Sequence, residues 1–347
     1  MKAYRLLEWQ QPPQLVDVPV PEPGPGEVLV RVGGAGACHS DISVMEQPKG
    51  WLPFDVPFTL GHENAGWVAR LGAGAMGFSE GDPVAVYGPW GCGTCRSCIE
   101  GMDNVCERWR DPGRTRGGGL GRDGGMAEYM LVPSPRYLVG LRDLDPVAAA
   151  PLSDAGLTPY RAIARSLHVL VPGSTAVVMG VGGLGHLGVQ ILKAVSAARI
   201  IAVDVAPDRL DLARRMGADD TVRSGDGAVQ EIREACGGQN PELVLDFVGN
   251  EQTLAMSARL ARIRGRVVIV GIAGGTVPWG FGKLAQECEW IQSSWGSIAE
   301  LREVIDLAER GLLKPETEVF PLSRVEEAYQ ALHEGALVGR AVVVPDA

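Results

Sequence analysis

From residue 1 to about residue 150 the chain alternates apolar and polar positions in short runs cut by glycine and proline. Gly26-Glu27-Val28-Leu29-Val30-Arg31-Val32, Asn64 to Leu71, Asp82 to Tyr87 and Glu128 to Val132 each predict a strand. Period-two alternation punctuated by turn residues implies an antiparallel, partly closed β architecture. From about Leu157 the grammar changes. A wholly apolar run, Thr175 to Met179, predicts a strand that leads through a glycine-rich turn into a helix over Leu184 to Val195. A strand at Arg199 to Val203 and a helix at Asp208 to Met216 follow. Strands at Leu243 to Phe247 and Arg266 to Val270 flank a helix over Gln252 to Ala261. Continuous apolar strands alternating with helices imply a parallel sheet covered on both faces. Beyond Trp295 the pattern predicts helices at Ile298 to Arg310 and Val325 to His333 and a last strand at Ala341 to Val344, which return to the first domain.

With 347 residues, 46% of them hydrophobic, the chain exceeds the usual size of one domain. The boundaries fall at 1–155, 156–295 and 296–347. The 47 glycines and 24 prolines cluster at turns between apolar runs, as in a loop-rich α/β protein rather than a disordered one. A formal net charge of −10 without a basic stripe argues against nucleic acid as a partner. The apolar runs are far shorter than the ~20 residues of a membrane helix. The stretch Met1 to Val18 has no signal-peptide core, so the expected location is the cytoplasm.

The seven cysteines turn this α/β frame toward metal chemistry. The odd count argues against a disulfide framework. Cys92, Cys95 and Cys98 stand at three-residue steps and Cys106 follows eight residues later, within a lobe at about 90–110. Four such thiolates suit a closed tetrahedral zinc site, with Gly91, Gly93 and Gly101 easing the tight loop. Free or redox thiols and iron–sulfur ligation are the alternatives, the latter at other spacings. A second, dispersed set joins Cys38, His62 and Asp154, three protein ligands that leave the open position of a catalytic zinc. Taken alone, His62 also reads as a satisfied histidine beside a surface Glu63. His168, His186 and His333 read as structural or solvated, and Cys236 and Cys288 as ordinary buried thiols.

The run Gly180-Val181-Gly182-Gly183-Leu184-Gly185 follows a strand and opens a helix, and Asp204 ends the next strand. This is a dinucleotide fingerprint in its required context. The glycines allow the turn, the approach of the pyrophosphate and helix packing, while Asp204 accepts from ribose hydroxyls.

Along essentially its whole length the chain resembles the zinc-dependent medium-chain alcohol dehydrogenases. The resemblance is carried by Gly24-Pro25-Gly26-Glu27, Cys38-His39-Ser40-Asp41, Gly61-His62-Glu63, Gly81-Asp82-Pro83-Val84, the four-cysteine lobe, the 180–185 turn and Gly339-Arg340. Tyr87 to Cys92 and Asp154 to Tyr160 look most like bacterial NAD-linked secondary alcohol dehydrogenases. The resemblance implies a GroES-like, partly closed β-barrel catalytic domain and a Rossmann doubly wound cofactor domain. It implies two zinc ions per chain, NAD(H), a small alcohol or ketone substrate, and a homo-oligomer, dimer or tetramer, joined near a sheet edge at Arg266 to Ile272. Cys38, His62 and Asp154 would hold the catalytic zinc, with Glu63 as a transient ligand and Asp41 orienting His62. Ser40 would hydrogen-bond the reacting oxygen. His39 and Arg340 would lie by the pyrophosphate, Arg209 by the adenosine ribose, and Val270 and Ile272 by the nicotinamide. Ser43, Trp51, Phe54, Trp90, Leu120, Ile272 and Trp295 would line the substrate pocket. Two positions depart from better-known members: Asp154 stands where many carry cysteine, and Ser43 where several carry the histidine that ends a proton relay. The competing functions are a zinc-free quinone or enone reductase, against which Cys38 and His62 argue, and a non-catalytic dinucleotide-binding protein.

Overall fold

The computed structural model describes residues 1–346. The chain divides into two compact units: Met1–Leu157 with Gly296–Glu309 and the stretch from Thr317 onward, and Thr158–Trp295 with Arg310–Glu316.

In the first unit a curved sheet runs in the order Leu138–Gly140, Pro83–Val86, Glu63–Leu71, Val28–Gly36, Arg340–Val344, Thr317–Pro321, and Tyr129–Val132 also pairs with Val28–Gly36. Val28–Gly36 is the hub. It is bonded along most of its length, and all but Arg31 is buried, so its alternation gives way to the near-continuous apolar run Val-Leu-Val and the small residues after it. Register shifts at Leu29/Val30 and Val32/Gly34 bend this strand against Glu63–Leu71, the usual device for curving a sheet toward closure. The pairing is antiparallel except for Thr317–Pro321 on Arg340–Val344, which is parallel. That connection runs through the helix Val325–His333, as a parallel crossover requires.

The second unit holds a six-stranded parallel sheet in the order Asp220–Arg223, Arg199–Asp204, Thr175–Met179, Leu243–Asp246, Arg266–Ile269, Glu289–Gln292. The order reverses beside Thr175–Met179, the place where doubly wound sheets bind ligands at their carboxyl ends. Every residue of Thr175–Met179 is buried, which explains its unbroken apolar run. Local chemistry sets the helix ends. Pro207 begins Pro207–Met216, and Gly217, at φ 104°, ends it in the left-handed region. Asn250 caps Glu251–Leu260 by accepting from the Thr253 N–H at 2.9 Å.

The expected sheet edge at Arg266 to Ile272 is corrected. Arg266–Ile269 is an interior strand, paired on one side with Leu243–Asp246 and on the other with Glu289–Gln292, which forms the edge. The sequence Glu-Trp-Ile-Gln has too short an apolar pattern to announce a strand. The strand Asp220–Arg223 and the helix Ala228–Ala235 were likewise absent from the sequence reading. No described helix is long and apolar enough to cross a membrane.

Candidate active site and metal centres

Cys38 sits where the hub strand passes into the helix His39–Met45, and it caps that helix. Its sulfur accepts from the Ser40 N–H at 3.5 Å, while Asp41 accepts from the Cys38 N–H at 3.1 Å. This reciprocal cap fixes Cys38, Ser40 and Asp41 as one rigid unit. The Ser40 hydroxyl lies 3.2 Å from the Cys38 sulfur. His62 immediately precedes the neighbouring strand, Glu63 opens it, and Asp154 follows the short helix Ala150–Ser153. One donor atom from each of Cys38, His62, Glu63 and Asp154 lies within 4.8 Å of the other three. All four are buried.

The pairing around His62 sorts its two nitrogens. Nδ1 lies 2.8 Å from Asp41 Oδ1, and Nε2 faces Asp154 Oδ2 at 3.5 Å. A carboxylate on Nδ1 selects the tautomer that leaves Nε2 to ligate. Burial works to raise the Cys38 thiol, but the Arg340 guanidinium and a bond with His62 outweigh it and bring it down to about 7. A thiolate, an imidazole and carboxylates held together in a dry pocket form a donor set that suits zinc.

Arg340, expected beside a pyrophosphate, forks onto Glu63 here: Nε lies 2.9 Å from Oε2, and Nη2 bonds Oε1. Both residues are buried. This is the bidentate geometry that favours arginine over lysine. Room for the Glu63 side chain comes from Gly36, where a Cβ would meet Glu63 Oε2 at 2.0 Å.

A residue missed in the sequence completes the support. Tyr329, buried in the helix Val325–His333, donates to Asp41 Oδ2 at 3.0 Å and stacks on Tyr4. Asp41 thus holds His62 with one oxygen and is itself held by Tyr329 and the Cys38 N–H with the other. No local signal links positions 41 and 329, which only the fold brings together. Tyr329→Phe is expected to weaken zinc retention about tenfold in competition with a chelator, the low end of outer-partner effects. Unchanged retention would remove Tyr329 from this chain of support.

In the cysteine lobe the sulfurs of Cys92 and Cys98 are 3.9 Å apart, and those of Cys95 and Cys106 are 4.0 Å apart. Zn–S bonds of ~2.3 Å in a tetrahedron space sulfurs about 3.8 Å apart, so the four fit the ion. Burial works to raise the Cys92 thiol, but bonds from the Thr94 hydroxyl and the Thr94 and Cys95 N–H groups together outweigh it and lower it to about 5. The lobe is anchored by Asp103, another residue the sequence did not reveal. Its carboxylate accepts from the Gly91 N–H at 3.1 Å and pairs with Arg136 at 2.6 Å.

In the second unit the glycine turn is tied down from both sides. Asp204 accepts from the Val181 N–H at 2.7 Å and the Ala206 N–H at 3.0 Å. A Cβ at Gly185 would meet the Gly180 carbonyl at 1.8 Å. His186 is fully buried, with Nδ1 2.9 Å from the Gly182 carbonyl and Nε2 accepting from the Glu316 N–H at 3.1 Å. It is a structural histidine, as its position suggested. Asp246, also missed, accepts from the Val248 and Gly249 N–H groups, and its carbonyl accepts from Val270 and Gly271. It thereby sets the turn that carries Val270, which is buried, and Ile272, which is exposed. Gly182, Gly183 and Leu184 lie in the turn, Arg209 is half-buried on Pro207–Met216, and His39 is exposed on the first helical turn.

The expected pocket residues separate. Trp51 is 71% exposed. Phe54 and Trp90 are buried and also pack as core: Phe54 meets Phe58 edge-to-face, and the Trp90 indole donates to the Tyr87 carbonyl at 2.8 Å. Leu120 and Trp295 are buried, and Ser43 is half-buried.

Comparison with known proteins identifies the family. Residues 24–143 match the alcohol dehydrogenase GroES-like domain, and residues 183–310 match the zinc-binding dehydrogenase family. The chain is 38% identical to an NAD-dependent alcohol dehydrogenase of Sulfurisphaera tokodaii, covering 99% of this chain and 100% of that one. It is 37% identical to a D-arabinose 1-dehydrogenase (NADP(+)) of Saccharolobus solfataricus, covering 99% and 97%. The crystal structure of the alcohol dehydrogenase from Aeropyrum pernix superposes with a TM-score of 0.91 at 36% identity, covering 99% and 100%. The matched domains, the full-length relatives and the two donor clusters agree: this chain belongs to the zinc-type medium-chain alcohol dehydrogenase family.

Proposed function

We propose that the chain is an NAD-linked zinc alcohol dehydrogenase that interconverts secondary alcohols and ketones, with two zinc ions per chain. The observation that carries this reading is the buried convergence of Cys38, His62, Glu63 and Asp154, with the Ser40 hydroxyl 3.2 Å from the Cys38 sulfur. Cys38, His62 and Asp154 would hold the catalytic ion, and Cys92, Cys95, Cys98 and Cys106 the structural one. When bound, zinc supplies Lewis acidity toward the alcohol oxygen, and the nicotinamide accepts the hydride. Asp41 and Tyr329 keep His62 aimed. Arg340 holds Glu63 beside these residues, where it would serve as a transient ligand. Ser40 takes the proton from the reacting oxygen and passes it on. Ser43, half-buried and small, leaves room for a carbon with two substituents. The glycine turn would serve the pyrophosphate, and Val270 and Ile272 the nicotinamide.

A panel of ketones, aldehydes and conjugated enones, each offered with NADH and NADPH, tests the reading. Ketone reduction with no reduction of the conjugated double bond supports it. Alkene reduction alone would assign the chain to the zinc-free reductases instead.

Relatives with different cofactor names make Asp204 decisive. Asp204 is 6% exposed, so a 2′-phosphate beside it would meet a desolvated like charge. NAD is therefore expected to be preferred. Asp204→Ser should narrow the preference at least tenfold, or about 1.4 kcal/mol. Equal use of both cofactors by the native enzyme contradicts this. Because Asp204 also satisfies two backbone donors, its variant is compared at a temperature where both proteins remain folded.

The subunit contact is assigned to the edge strand Glu289–Gln292 and the chain before it, since an open edge presents unpaired backbone groups. Sedimentation should give a dimer or tetramer. A monomer at every concentration rules the assignment out.

A further inference from the structure

His186 stands directly behind the glycine turn, and two backbone groups fix the state of its ring. The Glu316 N–H, which can only donate, reaches Nε2 at 3.1 Å. Nε2 is therefore an acceptor, so the ring proton sits on Nδ1 and is donated to the Gly182 carbonyl, 2.9 Å away. That carbonyl also accepts the His186 backbone N–H at 3.2 Å. The segment that supplies Glu316 is itself clamped to the same helix. One turn beyond His186, the Gln190 amide donates to the Lys314 carbonyl and accepts from the Lys314 N–H, each at 2.9 Å. Ring, turn and clamped segment all belong to the second unit, and His186 is fully buried within it.

A trans peptide is planar, and its C=O and N–H point in opposite directions. Holding the Gly182 carbonyl back against the helix Gly185–Val195 therefore aims the Gly183 N–H the other way, out of the N-terminal end of that helix. Backbone donors pointing in this direction are what a phosphate group meets at a helix start. The peptide in question lies between two glycines, where rotation of the flanking bonds meets the least steric resistance. A second donor on the Gly182 carbonyl opposes that rotation. The turn is also open at this point, since a Cβ at Gly182 would meet nothing within 4 Å.

We propose that His186 is a positioning residue for the cofactor: by locking the Gly182–Gly183 peptide, it presents the Gly183 N–H to the dinucleotide pyrophosphate. This rests on the NAD-linked function proposed above. Ordering a peptide between two glycines is otherwise a cost met at binding, and a turn already fixed avoids it. His186 acts through Gly183 and not by contact with the cofactor.

Two substitutions separate the two ends of the ring. Asparagine carries its amide nitrogen where Nδ1 stands and keeps a donor for Gly182, whereas glutamine reaches the place of Nε2 and keeps an acceptor for Glu316. The zinc-loaded proteins are titrated with NADH by fluorescence, with ADP-ribose as a competitor that has the pyrophosphate but no nicotinamide. Circular dichroism selects a temperature at which all of them are folded. His186→Gln is expected to raise the Kd of both ligands about tenfold, while His186→Asn stays within about threefold of native. A His186→Asn protein as weak as His186→Gln marks a space-filling role and overturns the proposal, as does native affinity in His186→Gln. Should neither variant fold, Glu316→Pro removes the N–H that holds Nε2. Weaker NADH binding by that variant then supports the lock, and unchanged binding overturns it. A native protein that binds neither NADH nor NADPH overturns the dehydrogenase reading itself, and the lock with it. Native binding beside an unaffected His186→Gln overturns the lock alone.

Discussion

Cys38→Ala is expected to lose one of two zinc ions and all measurable alcohol oxidation while the protein stays folded. Cys95→Ala is expected to lose the other ion and fold poorly. The contrast follows from what surrounds each ion. Cys38 lies at the end of a strand bonded along most of its length, in a unit whose core is built from aliphatic and aromatic residues. Its loss removes a ligand and a helix cap, and caps contribute about 0.5–2 kcal/mol, too little to unfold such a unit. The lobe at 92–106 has no comparable core. Its apolar side chains Ile99 and Val105 are 73% and 43% exposed, while the sulfurs of Cys98 and Cys106 are turned inward. Metal binding is there the main source of order, and structural zinc sites supply on the order of 10–16 kcal/mol. Elemental analysis of zinc per chain, near- and far-ultraviolet circular dichroism and a turnover assay make the comparison. One ion in the native protein, or an active Cys38→Ala variant, would overturn the assignment of the two centres.

Ser40→Ala should slow alcohol oxidation by roughly 10²–10⁴-fold, the range of a positioned acid–base group, and Ser43→Ala should have little effect. The alcohol must lose its proton before or with the hydride, and Ser40 is the hydroxyl held against Cys38 by the helix cap. A serine both accepts and donates but cannot store a proton. Ser43, one turn farther along the same helix, offers no group that titrates near neutrality. The proton is therefore expected to leave Ser40 for water and not for Ser43. Both variants are to be measured on one secondary alcohol at saturating NAD. A crippled Ser43→Ala beside a near-normal Ser40→Ala would show that the relay is drawn through the wrong residue.

Local patterning carried much of this molecule. The run Thr-Ala-Val-Val-Met announced the central strand because a strand covered on both faces needs no polar positions. Pro207 and Gly217 marked the two ends of a helix through their own backbone preferences. The four-cysteine lobe was legible because its cysteines lie within fifteen residues, so spacing alone limits what they could bind. Short edge strands were not legible. Glu289–Gln292 is held by its neighbour Arg266–Ile269 rather than by any pattern of its own, which is why the sheet edge was expected one strand too early.

The sequence by itself determined the types of the longer elements, the two classes of domain, the glycine turn with its acid, and which side chains could ligate zinc. Only the tertiary structure decided which of them meet. It put Tyr329 against Asp41 and Arg340 against Glu63, and it gave Asp103 to the cysteine lobe. The physical reason is range. Strand periodicity, caps and turns act within a few residues and leave a mark in the chain. A buried carboxylate needs a donor from wherever the fold can bring one, and for Asp41 that donor lies 288 positions away.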